Sequence, residues 1–364
     1  MMQTKEQFLQ ILSQFQQNDT IVSVEPFGNG HINDTLKVCV GEGKPKYILQ
    51  RINHHIFTNV DMLQNNIRIV TAHVRKKLEE RGETDIDRKV LTFIPAKDGK
   101  YYYFDGDNYW RLCLFIPRSR SYETITPQLS YQAGKAFGDF QSMLADIPEG
   151  MLGETIPNFH NMKFRLEQFV DAAEANNDGR FGKVKDLVNE IKNRMREMCI
   201  QERLYGEHKL KKRINHCDTK VNNILFDEEG NVLCVIDLDT VMPGFVLSDI
   251  GDFIRTGANT GAEDDENLDN VSVDMEIFKA YTQGYMETAK SFLTPMEISL
   301  LPYGGRLMTY MQTVRFLTDY LNGDTYYKIR HPEHNLQRAR AQFKLLQSLE
   351  DHAGEMDGFI KKWL

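Results

Sequence analysis

The pattern of hydrophobic and polar positions changes once along the chain. Before residue 116, short β-branched or aromatic runs separated by Gly, Asn and Asp occur at 20–27, 34–40, 46–52, 89–95, 100–104 and 109–116. Two stretches instead have the apolar spacing of amphipathic helices, namely the N-terminal segment with Phe8, Ile11, Leu12 and Phe15, and the longer segment 60–82. The pattern predicts a small, mainly antiparallel β lobe with one main helix over residues 1–115.

Beyond Pro117 the apolar positions take the helical period. Helices are predicted over 127–145, 160–176, 181–204, 273–290, 294–320 and 333–350. One stretch differs, since ILFDEEGNVLCVID has the signature of a hairpin that turns at Glu229-Gly230-Asn231. The sequence therefore predicts an α+β fold with two lobes, a small β lobe over 1–115 and a larger, mainly helical lobe over 116–364.

Composition narrows the class of protein. The hydrophobic fraction of 41% and the charged fraction of 26% are those of a globular chain, and the net charge of -8 disfavours nucleic acid or an anionic membrane as a partner. The cysteines form no Cys-x-x-Cys pair and no zinc spacing, which is typical of reduced thiols. No run approaches the roughly 20 apolar residues that span a bilayer. We expect a cytoplasmic enzyme or binding protein, and the oligomeric state stays open.

The densest polar segment, 214–240, carries the candidate chemistry. His216, Asp218 and Asn223 fit the pattern H-x-D-x4-N, which is the spacing of a kinase catalytic loop. Phosphoryl transfer needs a group that orients the attacking hydroxyl and oxygen ligands for Mg²⁺. Asp218 can serve the hydroxyl, and Asn223 and Asp237 can bind Mg²⁺ once the hairpin brings them together. The alternative is a polar turn whose Asp and Asn side chains cap neighbouring backbone.

The first predicted hairpin offers a candidate phosphate site. VEPFGNGHINDTLKV places Gly28, Asn29, Gly30 and Asn33 between two strands. Backbone N–H groups of a glycine-rich hairpin can lie over phosphates, although glycines there can equally form a turn and nothing more. We predict these four residues as nucleotide contacts.

Together these motifs resemble the aminoglycoside phosphotransferase and choline kinase family, which shares the protein-kinase-like fold. The likeness rests on FGNGHINDT, YILQRIN, HCDTKVNNILFD, VIDLDTVMPG, SDIGDFIRTGAN and RFLTDYLNGDTYYKI, which together extend over nearly the whole chain. Within the family the chain most resembles N-acetylhexosamine 1-kinases, which phosphorylate the anomeric hydroxyl of GlcNAc or GalNAc. The resemblance implies an ATP- and Mg²⁺-dependent kinase of a small hydroxylated acceptor.

The resemblance also implies roles for single residues. Asp218 would be the catalytic aspartate, and Lys220 would contact the transferred phosphate. Asn223 and Asp237 would be the Mg²⁺ ligands. Asp249 resembles the aspartate that braces the catalytic loop, and a helix N-cap is the alternative for it. The adenine of ATP is expected near Phe115 and Ile116.

One feature of the kinase pattern is missing. The lysine that holds the α- and β-phosphates should fall in YILQRIN, which contains none. Alternation along the strand puts Gln50 on the ligand side, and a shift of one residue brings in Arg51 instead. A neutral Gln50–Asn66 pair or a lone Arg51 could each serve, and we predict Arg51 as a phosphate contact.

The acceptor site is expected in RFLTDYLNGDTYY, which mixes polar and aromatic side chains. We predict Arg315, Asp319 and Asp324, together with Asp218, as contacts to a sugar. Arg315 and Asp319 are four residues apart and could equally form a pair on a helix surface. A kinase of choline, homoserine or an aminoglycoside is an alternative function, as is a non-catalytic nucleotide-binding protein.

Overall fold

The computed structural model of the protein describes residues 4–28, 32–148, 150–175 and 177–364. Its helices are α1 (Lys5–Leu12), α2 (Val60–Glu80), α3 (Ile86–Lys89), α4 (Pro127–Leu144), α5 (Met162–Ala175), α6 (Lys185–Met198), α7 (Ile200–Gly206), α8 (Val246–Gly257), α9 (Met275–Ala289), α10 (Pro295–Ser299), α11 (Leu301–Leu321), α12 (His334–Asp351) and α13 (Ala353–Ile360). Its strands are β1 (Ile21–Pro26), β2 (Asp34–Val40), β3 (Lys44–Ile52), β4 (Phe93–Ile94), β5 (Tyr103–Phe104), β6 (Tyr109–Leu114), β7 (Arg213–Asn215), β8 (Ile224–Phe226), β9 (Val232–Val235) and β10 (Met242–Gly244).

The chain forms two compact units. The first comprises Met1–Ser121, Asp146–Pro157 and Asn223–Met242, and the second comprises Tyr122–Ala145, Asn158–Asn222 and Pro243–Leu364. This differs from a single division after residue 115, because the β8–β9 hairpin and the segment 146–157 belong to the first unit.

The first unit is built on an antiparallel sheet. Its strand order is β1-β2-β3-β6-β4, with β5 paired to β6. One face of the sheet buries Leu49, Trp110 and Leu112 against α1 and Phe15. Helix α1 begins at a capping box formed by Thr4 and Gln7, which satisfies backbone N–H groups at its first turn. The predicted antiparallel lobe is present.

Helix α2 is the main helix of this unit. The side chain of Asn59 caps its N-terminus, and Leu63, Ile67 and Val70 lie on its buried face. Gly82 follows with a φ of 70°, a left-handed conformation that only glycine adopts without strain, and it ends the helix as the sequence predicted. Two polar side chains of α2, Gln64 and Asn66, are buried as well.

The second unit is mainly helical, and its central helices approach at glycines. A Cβ on Gly251 of α8 would lie 2.2 Å from the carbonyl oxygen of Gly304 on α11. Because no side chain fits in that space, the backbones of α8 and α11 pack directly on each other. This contact fixes the helix that supports the polar segment around Asp218.

The helices of the second unit differ from the prediction in four places, one of which is α13, a helix that was not predicted. The segment 294–320 divides into α10 and α11, and Pro302 lies in the first turn of α11, where proline favours a helix start. The segment 181–204 divides at Cys199. Helix α8 was not predicted, because its polar residues are as buried as its apolar ones and hide the helical period. Within the described residues, no helix is both long and apolar enough to cross a membrane.

Candidate active site

The loop that carries Asp218 is held by hydrogen bonds from its backbone N–H groups to the carboxylate of Asp249 on α8. One carboxylate oxygen of Asp249 accepts from the N–H of His216 at 2.8 Å, and the other accepts from the N–H of Cys217 at 2.7 Å. The amide of Gln141 adds a third donor at 2.7 Å. Burial raises the pKa of Asp249, whereas these donors and the adjacent His216 act in the opposite direction. The predicted brace is confirmed, and the alternative N-cap role is wrong, since Phe245 occupies the N-cap of α8.

A second carboxylate on α8, that of Asp252, binds the backbone of Thr219, the residue after Asp218. Asp252 accepts from the N–H of Thr219 at 3.1 Å and is itself paired with Arg255 at 2.8 Å. Asp249 and Asp252 are three residues apart on one helical face, so a single helix fixes N–H groups of the loop on both sides of Asp218.

Between these fixed points the loop presents Asp218 and Lys220. The Asp218 side chain is 27% exposed although its neighbours Cys217 and Thr219 are buried. Cys217 has a φ of 63°, an uncommon conformation that turns the chain at this point. The ammonium of Lys220 lies 3.2 Å from a carboxylate oxygen of Asp218, and this carboxylate is the main cause of a raised pKa for Lys220. The loop therefore presents an anion and a cation side by side.

The candidate Mg²⁺ ligands lie at the open end of the β8–β9 hairpin, in the first unit. Ile224 pairs with Val235, and the N–H of Ile236 donates to the carbonyl of Asn223 at 2.9 Å. This pairing brings Asn223, just before β8, close to Asp237, just after β9. The described residues contain no cluster of three or more His, Cys, Asp or Glu side chains that would suit a metal. One amide and one carboxylate are the kind of set with which Mg²⁺ binds proteins, since it fills its other positions with water and phosphate.

The turn after β9 is fixed by a buried ion pair. Asp237 has a φ of 59°, and two residues later Asp239 accepts from both terminal nitrogens of Arg111, one of them at 2.9 Å. Arg111 lies on β6, and its Nε donates to the side-chain oxygen of Gln50 on β3 at 2.9 Å. Asn33 also donates to Asp239, at 2.5 Å. The Asp239 carboxylate is thus held by an arginine and an amide, and it anchors the turn that presents Asp237.

Phe27, which follows β1, lies near Phe115, which follows β6. Gly28 has a φ of 74°, and no atom of the described residues, its chain neighbours apart, lies within 4 Å of the position of a Cβ there. The ring of the preceding Phe27 contacts the ring of Phe115 edge-on, with centroids 6.0 Å apart. Ile116 packs against Leu233 of β9. In the first unit, Phe27 therefore contacts Phe115, and the adjacent Ile116 contacts the β8–β9 hairpin.

In the second unit, Arg315 of α11 lies among aromatic rings. Its guanidinium carbon is 5.2 Å from the ring centre of Phe159, 5.6 Å from that of Tyr327 and 6.0 Å from that of Tyr326. Its Nη1 donates to Gln312 at 3.2 Å. Contacts with these aromatic rings can hold the planar guanidinium of Arg315 in one orientation without a carboxylate partner.

The sequence of the chain matches a known family over most of its length. Residues 23–281 match the family described as the phosphotransferase enzyme family, abbreviated APH. The chain belongs to this phosphotransferase family. Its protein-kinase-like fold, predicted from the sequence, is confirmed by solved structures with the same fold.

Three of those structures illustrate the likeness. An aminoglycoside phosphotransferase from Alicyclobacillus acidocaldarius is 12% identical, with a TM-score of 0.62 over 95% of this chain and 96% of that one. A spectinomycin phosphotransferase in complex with ADP and spectinomycin is 14% identical, with a TM-score of 0.60 over 98% and 99%. An ethanolamine kinase from Plasmodium vivax is 16% identical, with a TM-score of 0.53 over 91% and 84%. At these identities the likeness shows the fold alone.

The phosphotransferase departs from the predicted phosphate contacts on β3. Arg51 donates its Nε to Asp34 at 2.7 Å, so its charge is already paired, and it faces the side of the sheet opposite to Gln50. Gln50 instead binds Arg111 and Thr35. Asn66 is not its partner, because the Asn66 amide donates to the carbonyls of Gly153 and Val241. The structure therefore does not support Arg51 as a phosphate contact.

Asn33, which was predicted to contact the nucleotide, is hydrogen-bonded to other residues of the protein. Asn33 donates to Asp239 and accepts from the N–H of Asn53 at 2.8 Å, so it fastens the hairpin instead of facing a nucleotide. Asn29 and Gly30 lie outside the described residues.

The predicted acids of the sugar site are loop anchors. Asp319 accepts from the N–H groups of Thr325, Tyr326 and Tyr327 at 2.8 to 2.9 Å, and the amide of Asn335 donates to it as well. Asp324 pairs with Arg180 at 2.5 Å and accepts from Asn335 at 2.8 Å. With donors on both oxygens, these carboxylates shape the loop that carries the tyrosines, and Arg315 is the predicted residue that still fits a sugar contact.

His160 was not among the predicted site residues, because no motif surrounds it in the sequence. Its ring stacks on Phe159 with centroids 4.3 Å apart, and its Nδ1 is buried without a hydrogen-bond partner among the described residues. Burial lowers the pKa of His160 to about 3, assisted by Arg315 and Arg165, while Asp218 acts in the opposite direction. The imidazole is therefore neutral at physiological pH and belongs to the surroundings of Asp218 and Arg315.

Proposed function

We propose that the protein transfers the γ-phosphate of ATP, in the presence of Mg²⁺, to the anomeric hydroxyl of an N-acetylhexosamine, GlcNAc or GalNAc. The observation that carries the acceptor class is the position of Arg315 among three aromatic rings in the unit that presents Asp218. Sugars are bound by planar hydrogen-bonding groups together with an aromatic face, and this cluster supplies both.

The residues of the braced loop suit the transfer step. Asp218 orients the acceptor hydroxyl and takes its proton as the new bond to phosphorus forms. Lys220, held 3.2 Å from that carboxylate, faces the charge of the transferred group. Asn223 and Asp237 would hold Mg²⁺, which would offset the negative charge of the phosphates.

The first unit has the features of a nucleotide site. Gly28 has no side chain to shield its backbone from a phosphate, and no atom of the described residues beyond its chain neighbours lies within 4 Å of where a Cβ would be. Phe115 and Ile116 continue from β6 and offer apolar contacts for adenine. Arg111 is buried and bound to Asp239, so it does not substitute for the lysine that YILQRIN lacks.

Charge around Arg315 favours a neutral acceptor over a cationic one. Arg315 and Arg165 are close enough to lower the pKa of His160 together, and burial with Arg315 also lowers the pKa of Arg165 to about 10. An aminoglycoside or choline would bring positive charge to this cluster, which is unfavourable. The acetamido and hydroxyl groups of GlcNAc instead offer oxygens to these donors.

A cytoplasmic location is part of the proposal. Cys39, Cys113, Cys199, Cys217 and Cys234 are all free thiols, which a reducing compartment maintains.

The test is a comparison of kcat/KM for GlcNAc, GalNAc, glucose, galactose, choline and an aminoglycoside at one concentration of ATP and Mg²⁺. We expect the N-acetylhexosamines to exceed glucose and galactose by at least about tenfold, because a site that pairs an acetamido group rejects an analogue without it. A preference above tenfold for choline or an aminoglycoside would overturn the acceptor and leave the kinase chemistry. Absence of turnover on the whole panel would favour a non-catalytic nucleotide-binding protein, and Asp218→Asn is the inactive control.

A further inference from the structure

The segment between α8 and α9 is a closed loop that carries the carboxylate of Glu263. The loop spans 259–273, and its first and last residues pair as a β-bridge. A hydrogen bond also joins its two ends, since the N–H of Thr260 donates to the carbonyl of Ser272 at 2.9 Å. Loops whose ends are joined in this way are compact, and they frequently carry functional residues.

One oxygen of the Glu263 carboxylate is fixed by α8, the helix that supports the loop of Asp218. The Oε1 of Glu263 accepts from the Nη1 of Arg255 at 2.7 Å. Arg255 also donates to Asp252 at 2.8 Å, and Asp252 accepts from the N–H of Thr219 at 3.1 Å. Because Thr219 directly follows Asp218, two side chains join Glu263 to the backbone beside the proposed catalytic aspartate.

The first two residues of α12 fasten the loop of Glu263 and the loop of the two tyrosines in the proposed acceptor site. The Nε2 of His334 lies 2.9 Å from a carboxylate oxygen of Asp264, the residue after Glu263. The amide of Asn335 donates at 2.9 Å to Asp319, whose carboxylate holds the backbone of the tyrosine loop. Adjacent residues of one helix therefore bring Glu263 toward the aromatic cluster.

The second oxygen of the Glu263 carboxylate is available to a ligand. The side chain is 45% exposed, and its Oε2 accepts no hydrogen bond within the described part of the chain. Partial burial acts to raise the pKa of Glu263, but the charges of Arg255 and Lys220 outweigh it and lower this pKa. Burial raises the pKa of Tyr327, and the nearby Glu263 carboxylate adds to that effect. The carboxylate is therefore charged, accessible and near both Lys220 and an acceptor-site ring.

We propose that Glu263 is a specificity-determining residue of the acceptor site, where its exposed oxygen accepts a hydrogen bond from a sugar hydroxyl other than the one phosphorylated. This inference rests on the proposed function. An ionised carboxylate is a strong acceptor for a hydroxyl group. Because Arg255 and Lys220 already balance its charge, an ammonium group gains little there. Asp218 meets the hydroxyl that reacts and Glu263 meets one that does not, so the two carboxylates together orient the sugar ring.

The experiment compares kcat/KM for GlcNAc with that for its 3-deoxy, 4-deoxy and 6-deoxy analogues, in the wild type and in Glu263→Ala. At least one analogue should be about 10- to 100-fold poorer than GlcNAc in the wild type, because it leaves a charged acceptor unpaired. Glu263→Ala should lower kcat/KM for GlcNAc by a similar factor and leave that analogue unaffected, so that the two compounds become equal. A merely structural role would lower all four values by one factor.

Two further variants serve as controls. Glu263→Gln keeps an oxygen for Arg255 and offers an uncharged amide to the hydroxyl, so its loss on GlcNAc should be smaller than that of Glu263→Ala. Glu266→Ala removes an exposed carboxylate from the same loop and should behave as the wild type on all four compounds.

The failure of this inference is distinguishable from the failure of the proposed function. If the wild type phosphorylates GlcNAc and Glu263→Ala loses nothing, or loses the same factor on all four compounds, the assignment of Glu263 is wrong and the proposed function stands. Absence of GlcNAc turnover by the wild type would overturn the proposed acceptor and this inference with it.

Discussion

Replacing Arg111 by methionine tests the support of the proposed Mg²⁺ ligand Asp237. The side chains of Arg111 and Asp239 are each 3% exposed, so the substitution removes a charge from a pair that water does not reach. Burial acts to lower the pKa of Arg111, but the facing Asp239 carboxylate outweighs it and raises the pKa above its ordinary value. The guanidinium is therefore charged at any pH at which the protein is folded, and methionine keeps the apolar stem while deleting the charge.

The expected loss is large for a single side chain. Removing one partner of a buried ion pair costs about 3–5 kcal/mol, because the other charge stays buried without compensation. Asp239 keeps a donor in Asn33, so we expect a value near the lower end, about 3 kcal/mol. The double variant Arg111→Met/Asp239→Leu should lose much less than the sum of the two single variants, since neither charge remains.

The assay is denaturant unfolding followed by the fluorescence of Trp110, which is buried in the sheet beside Arg111. A Trp363→Phe background removes the only other tryptophan of the sequence. The matched control is Arg51→Met, which breaks an exposed pair with Asp34 and should cost at most about 1 kcal/mol. A loss below about 1 kcal/mol for Arg111→Met, or strictly additive single variants, would refute the reasoning.

Three further substitutions test the proposed site. Asp218→Asn should lower kcat about 100- to 10,000-fold while ATP affinity measured by calorimetry stays near wild type, and retention of more than a tenth of the rate would exclude its role. Asp237→Ala should remove the enhancement of ATP affinity by Mg²⁺, and a persisting enhancement in a titration would move the metal elsewhere. Arg315→Leu should raise KM for GlcNAc about 10- to 100-fold with KM for ATP unchanged, and an unaltered sugar KM would remove Arg315 from the acceptor site.

Local signals in the sequence were sufficient for much of the architecture. The β8–β9 hairpin is marked by Gly230, whose φ of 86° meets the demand of its turn, and the hairpin in turn brings Asn223 and Asp237 together. The alternation of β3 correctly separated Gln50 from Arg51, because neighbouring residues of a strand face opposite sides. The choice between them needed the structure.

Residues whose roles depend on distant partners could not be read from spacing. Arg111 is 128 positions from Asp239, and nothing near either residue indicates the pair. Asp319 had the spacing of a helix-surface residue, yet the chain after α11 folds back so that its N–H groups meet this carboxylate. His160 lies near Arg315 and Asp218 only through the packing of the second unit.

The most direct test of the proposed activity is the identity of the product formed from GlcNAc, ATP and Mg²⁺. Phosphorus NMR of the reaction should show a new phosphate monoester coupled to the anomeric proton, formed in step with ADP and absent with Asp218→Asn. A phosphate on any other hydroxyl, or consumption of ATP without a sugar phosphate, would contradict the account.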